Sequence, residues 1–312
     1  MDCAKAGILT HNHTMRNVLV IGCGDVAARI IPLLSNGYKV FALVRNPAYF
    51  AKLRALGVLP ILGDLDDRRS LARITGLADS ILHFAPPQNE GFKDARTRNL
   101  LSALSHTRGR KLKLPKRIVY ISTTGVYGDC GGAWVSETHP LNAGNPRALR
   151  RVDAEKQIRE WAKRNRINAS ILRVPGIYSA DRFPLSRLQQ ATPGIDDSED
   201  SYSSHIHADD LAHIGAAALR RGKPCRVYHA SDDSYLKMGE YFDLVADAFG
   251  VSRVPRISRA EAQHVLSPVL LSFMNESRRL TNQRMKLELK VALQYPTVGD
   301  ALAEITRPSV QA

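Results

Sequence analysis

Apolar positions along this chain fall into short β-branched runs separated by stretches of helical periodicity. Residues 18–21, 39–44, 59–62, 80–84, 117–122, 169–173 and 226–230 read as strands, each too short and too continuously apolar for a half-exposed sheet. Between them the 3.6-residue period is clearest over 96–105 and 147–166. Strands alternating with helices at this spacing predict an α/β fold, a doubly wound parallel sheet of the Rossmann type. After Ile177 the alternation breaks. Segments 179–205 and 233–312 therefore read as a smaller, mainly helical substrate-side lobe, while 15–178 with about 206–232 forms the nucleotide-binding domain. Residues 1–14 carry no secretory pattern and read as a disordered extension, with Met15 a candidate start. Pro32 removes a hydrogen bond inside the first helix and is expected to kink it.

The first strand runs into Gly22-Cys23-Gly24-Asp25-Val26-Ala27, a G-x-G-x-x-A turn opening a helix. Gly22 permits the tight turn, Gly24 lets backbone approach a pyrophosphate, and Ala27 permits close helix–strand contact. Inside a strand–turn–helix–strand unit of about 30 residues this pattern predicts a dinucleotide site. The second strand ends at Val44-Arg45-Asn46, where an NAD site usually offers a carboxylate to the ribose 2′-hydroxyl. Arg45 instead offers a guanidinium suited to a 2′-phosphate, which favours NADP(H) over NAD(H). Asp64, Leu65, Ala85 and Pro86 follow the third and fourth strands, at the sheet end where ligands of such folds bind.

Several motifs together resemble the extended short-chain dehydrogenase/reductases of the NAD(P)-dependent epimerase/dehydratase group. Ile121-Ser122-Thr123-Thr124-Gly125-Val126-Tyr127-Gly128 resembles the group's active-site strand end, and Leu172–Tyr178 its sixth-strand motif. Ile206-His207-Ala208-Asp209-Asp210-Leu211 is similar to a later segment, and 272–295 to a carboxy-terminal one. The glycine turn and the text GIYSADRFPLSRL look closest to an atypical bacterial subgroup of undefined substrates. The resemblance implies that Thr123 hydrogen-bonds the substrate oxygen, and that Arg151 and Pro175 join the cofactor site. It also implies a Tyr-x-x-x-Lys dyad on the helix near Pro146, which this chain lacks. Arg147 and Arg151 stand in the two positions, and no Tyr lies between Tyr127 and Tyr178. A guanidinium cannot exchange a proton at neutral pH, so Arg147 is read as a substrate-side residue instead. Tyr127, Tyr178, Glu137, His205 and His207 are the candidate substitute acid/bases, each with a packing role as its alternative; Tyr178 and His207 also count as substrate-side candidates. Thr124-Gly125 replaces the Asp-Glu pair of the group's 4,6-dehydratases, which argues against that reaction.

Two readings stay open. One is an oxidoreductase or epimerase acting on a carbonyl or alcohol, a sugar-nucleotide being one candidate, through a non-standard acid/base. The other is a catalytically silent NADP(H)-binding sensor. Composition narrows the partners. The 312 residues hold 44 Lys+Arg against 30 Asp+Glu, a net +14, with 44% hydrophobic and 24% charged residues. No apolar run approaches the roughly 18 residues of a membrane span, and the four scattered cysteines form neither a disulfide framework nor a zinc site. A cytoplasmic protein without metal is expected. The excess charge is uneven: 15–178 carries 27 Lys+Arg against 12 Asp+Glu, and 179–312 carries 16 against 17. With no helix-turn-helix or zinc pattern and no aromatics among the basic runs, nucleic acid is not the expected partner. The loop 108–117 is read as a solvated face, and the Arg-rich helix 147–166 as a wall suited to an anionic small molecule. The resemblance further implies homodimers paired through 92–106 and 147–166.

Overall fold

A computed structural model describes residues 15–106 and 113–307 of the chain. The extension 1–14 and part of the basic loop 108–117 lie outside the described residues. Seven strands make one all-parallel sheet: β1 (Arg16–Ile21), β2 (Tyr38–Val44), β3 (Leu59–Leu62), β4 (Ser80–His83), β5 (Arg117–Thr123), β6 (Asn168–Val174) and β7 (Arg226–His229). Their spatial order is β7-β6-β5-β4-β1-β2-β3. The seven runs read from the sequence are these seven strands, displaced by a residue or two at their ends. The order reverses between β1 and β4, and this switch point opens a crevice at the strands' carboxy ends.

Alternate residues of β1 enter different cores, as the two-residue period of a strand requires. Val18 and Val20 pack with α1 (Asp25–Leu34) on one face, and Leu19 and Ile21 with α2 (Ala95–Leu104) on the other. The helix α1 buries Ala27, Ile30, Ile31 and Leu34, one stripe at helical spacing, while Pro32 in its last turn is exposed. Against the same face packs α4 (Ala208–Arg221), where Gly215 lets the two helices close up: a Cβ there would stand 3.0 Å from Ile30 Cδ1. The opposite face is completed by α3 (Pro146–Asn165), which buries Ile158 and Trp161.

Beyond the sheet's carboxy edge, a third core joins Tyr178, Phe183 and Leu188 to Tyr241, Phe242, Val298 and Leu302. It is mainly helical and built from separated stretches of the chain. Among the described residues no helix is long and apolar enough to cross a membrane.

Candidate active site

The β1–α1 turn supplies the first wall. Gly22 adopts φ +90°, and a Cβ there would lie 2.3 Å from the backbone nitrogen of Ala85, so only glycine fits. At Gly24 a Cβ would meet none of the described residues within 4 Å. The protein itself does not require that glycine, whereas a ligand lying against the backbone would. Above the turn opens a cleft of about 790 Å³, lined by 21–27, Leu43–Asn46, Gly63–Leu65, Phe84–Pro86, Arg96 and Arg151. Of the residues expected at the cofactor, Gly22, Cys23, Gly24, Asp25, Val26, Ala27, Arg45, Asp64, Leu65, Ala85, Pro86 and Arg151 all line it. The amide groups of the first turn of α1 present the end of the helix dipole that would favour an anion in this cleft. Arg45 is exposed at the rim. Beside it Arg96 is held by Asp66 in a two-pronged ion pair of 2.6 and 2.8 Å. Burial pushes the Cys23 thiol up to about 12, which leaves it an inert wall group.

A second cavity of about 340 Å³ adjoins the first, with Ile177 and Arg182 lining both. Thr123, Arg147 and Pro175 line this one. Thr123 ends β5, and its Oγ1 accepts the Gly125 amide at 3.3 Å, which leaves the hydroxyl proton free to donate. The helix α3 begins at Pro146 behind Asn145, whose side chain accepts from Ala148 N at 2.9 Å. Its first turn carries Arg147 over the Phe273 ring at 3.9 Å, and its second carries Arg151, which donates to Ile121 O at 2.7 Å and Tyr120 Oη at 3.0 Å. Arg151 is thereby fixed in the wall between β5 and the cleft.

Sequence reasoning passed over several residues here. Arg182 and Arg187 lie within GIYSADRFPLSRL and Glu276 and Arg278 within 272–295, yet neither segment marked them. Arg187, on the short helix Leu185–Gln189, lies over the Phe242 ring at 4.2 Å and donates to Pro193 O at 2.9 Å. Among the described residues its buried Nε has no hydrogen-bond partner, and burial, reinforced by Arg256, lowers its pKa to about 10. Four guanidiniums (Arg147, Arg182, Arg187, Arg278) thus face one carboxylate, Glu276, among the cavity's described residues. A site with that balance attracts an anion.

Tyr127, Tyr178 and His207 line neither cavity. Tyr127 is fully buried, and its hydroxyl sits 2.6 Å from both Arg173 and His229 Nε2. Because His229 Nδ1 lies 2.8 Å from the Thr281 carbonyl, it must donate there; Nε2 then accepts the Tyr127 proton. Burial pushes that phenol up to about 12. Arg173 in turn pairs with Glu155 at 2.7 and 3.0 Å, and its guanidinium donates to the Glu137 carbonyl at 3.3 Å. The Glu137 carboxylate accepts from His229 N at 3.4 Å and lies 3.6 Å from Arg284 Nε, so Glu137 and Tyr127 both belong to this buried network. Tyr178 packs between the Phe183 and His207 rings, and His207 caps α4 by accepting from Asp209 N at 3.2 Å. Of the candidate substitutes only His205 reaches the second cavity. Its ring stacks 4.1 Å from Tyr241, and burial drops it to about 4, so it is neutral at pH 7.

Residues 18–230 match the family model described as the NAD dependent epimerase/dehydratase family. The chain is 28% identical to an anthocyanidin reductase of Arabidopsis thaliana over 65% of its own length and 72% of that protein's. It is 25% identical to a Stigmatella aurantiaca dihydroquinoline-oxide ketoreductase, over 76% of this chain and 74% of the relative. Among solved structures, a conserved protein of unknown function from Silicibacter pomeroyi superposes with a TM-score of 0.75 and 28% identity, over 93% of this chain and 98% of that one. A dTDP-glucose 4,6-dehydratase of Streptomyces venezuelae shares the fold, with a TM-score of 0.74 at 22% identity over 94% and 96% of the two chains. With the glycine turn, the switch-point cleft and a family model spanning more than two thirds of its length, this chain belongs to the NAD-dependent epimerase/dehydratase family.

Proposed function

We propose that this protein is an NADP(H)-dependent oxidoreductase or epimerase that acts on a carbonyl or alcohol carried by a small anionic molecule. The observation that supports this best is the meeting of two cavities at Ile177 and Arg182, with Thr123 lining the second: one is sized and lined for a dinucleotide, the other lined by four arginines. The cofactor would lie along 22–27 with its phosphates toward the start of α1, its 2′-phosphate toward Arg45, and its nicotinamide end toward Arg151 and Pro175. When bound, it supplies or removes hydride. The open space at Gly24 fits such a ligand. Thr123 donates to the substrate oxygen, and Arg147 and Arg187 hold the substrate's anionic group. Tyr127, Tyr178, Glu137 and His207 keep structural roles.

Arg147 in the place of the usual tyrosine favours a second reading, an NADP(H)-binding sensor without turnover. Fluorescence titration with NADPH and NADH, followed by a panel of carboxylate- and phosphate-bearing carbonyls and alcohols, separates the two. The panel is read by absorbance at 340 nm and by product analysis, because epimerisation leaves no net redox change. Turnover abolished by Thr123→Ala supports the enzyme; tight NADPH binding with no product from any compound supports the sensor. Arg45→Ala is expected to weaken NADPH by about tenfold and leave NADH nearly unchanged, as loss of one charge-assisted phosphate contact would. Equal weakening of both would remove Arg45 from the 2′-phosphate.

A further inference from the structure

We propose that Glu276 is the proton-transfer group of this site, standing in for the missing tyrosine. The inference rests on the oxidoreductase reading above and names the residue that reading lacks.

Glu276 follows the helix Pro268–Met274 and reaches the second cavity beside the amino end of α3. Gly125, two residues past the end of β5, has no side chain, and the Glu276 carboxylate borders the space left open. A carbon placed on Gly125 would lie 3.6 Å from Glu276 Oε2 and 3.7 Å from Thr123 Oγ1. The carboxylate and the Thr123 hydroxyl therefore border the same patch of cavity wall above Gly125, and all three residues line the second cavity. A hydroxyl or carbonyl oxygen seated between them can receive a hydrogen bond from one and exchange a proton with the other.

The carboxylate is oriented rather than loose. Asn145 Nδ2 donates to its Oε1 at 3.1 Å from the cap of α3, and Arg278 donates to Oε2 at 3.0 Å. Arg278 is itself pinned to the Gly128 carbonyl at 2.8 Å. The charged and titratable groups acting around Glu276 are Arg278, Arg147 from α3, and Cys130 in the loop after β5. These contacts leave lone pairs of both oxygens unused. The side chain is 11% exposed, enough to meet a bound ligand and too little to be a solvated surface group.

In the oxidising direction the substrate hydroxyl would give its proton to the Glu276 carboxylate, and a nicotinamide held in the adjoining cleft would supply the acceptor for the hydride leaving the carbinol carbon. In the reducing direction the carboxyl returns the proton to the oxygen as the carbon receives hydride. No further oxidant, reductant or metal is needed.

The test compares the full chain with Glu276→Gln and Glu276→Asp, using the compound turned over in the panel above. Glu276→Gln keeps the shape and an acceptor for Asn145. Its kcat is expected to fall about 10²- to 10⁴-fold, with KM for the anionic substrate unchanged or lowered by no more than about fivefold, and Glu276→Asp is expected to recover part of the loss. Two readouts need no turnover. The NADPH dissociation constant should match wild type, which shows that the variant is folded. Inorganic sulfate, measured by calorimetry on the cofactor-free protein, should bind Glu276→Gln roughly fivefold tighter, because a negative charge has left an arginine-lined cavity. Unchanged kcat in Glu276→Gln, or sulfate affinity equal to wild type, overturns the assignment while the oxidoreductase reading stands. Failure of the wild-type protein on the whole panel overturns both.

Discussion

Gly22 and Gly24 occupy equivalent-looking places in one motif, yet different partners demand them. The backbone of Ala85 fills the space where a Gly22 side chain would go, and φ +90° is strained for any other residue. Above Gly24 the space is empty of described residues. Gly22→Ala is therefore expected to destabilise the protein by more than about 2 kcal/mol through backbone displacement. Gly24→Val should leave the denaturation midpoint nearly unchanged and abolish NADPH binding. Measuring both quantities for both variants checks the division; if Gly24→Val lost stability as well, the turn would be closed by the protein and not by a ligand. The motif's position was legible in the sequence, because strand, turn and helix are contiguous there. Glu276 was not, because what gives it meaning is Asn145, 131 residues away, and a glycine whose missing side chain leaves room for it.

At the scale of elements, α3 shows how one periodic stretch holds three separate jobs. Arg147, Arg151 and Glu155 follow at spacings of four and so share a face. Arg147 meets the second cavity, Arg151 ties the wall to β5, and Glu155 is buried against Arg173 of β6. The sequence showed the spacing and the loss of the usual dyad, but it could not show that Glu155 ends in a network with Arg173, Tyr127 and His229. Tyr127 thus looked available for chemistry when its hydroxyl is fully committed. Breaking the pair leaves a buried guanidinium without its counter-charge, which costs far more than losing a surface ion pair. Glu155→Ala is expected to lower unfolding free energy by about 3–5 kcal/mol in denaturant titration. The double change Glu155→Leu with Arg173→Met should recover a large part of that loss, since no unpaired charge remains. If both variants were equally unstable, packing around α3 would explain the loss and the ion pair would not.

Over the whole molecule, the parallel sheet was readable because each buried strand is a local run of apolar residues. The smaller lobe was readable only as a break in pattern, since its core joins Tyr178 and Phe183 to Phe242 and Leu302 across long stretches of chain. Three histidines were also hidden, because nothing local distinguishes a buried imidazole from an exposed one. Burial holds His83 at about 3, with the charge of Arg151 adding to it, and holds His229 at about 3 and His205 at about 4, against an ordinary 6.5. The folded protein thus refuses protons that the unfolded chain accepts. Their stabilising effect is complete above about pH 6.5 and is lost as the pH falls from there toward the folded values. At pH 5 each costs about 2 kcal/mol. Buried Asp232 acts the other way, since burial raises it well above 3.8 and folding then favours its protonated form. Burial raises Asp94 and Asp200 as well and lowers His207, so four imidazoles oppose three carboxylates, and the thermal midpoint should fall between pH 7 and pH 5, before most carboxylates titrate. His83→Gln retains a partner for Thr97, 3.0 Å from the imidazole in the wild type, and should make that fall shallower by about one proton's worth. A midpoint that held level over this range would mean that water or a counter-charge reaches these imidazoles in the folded state.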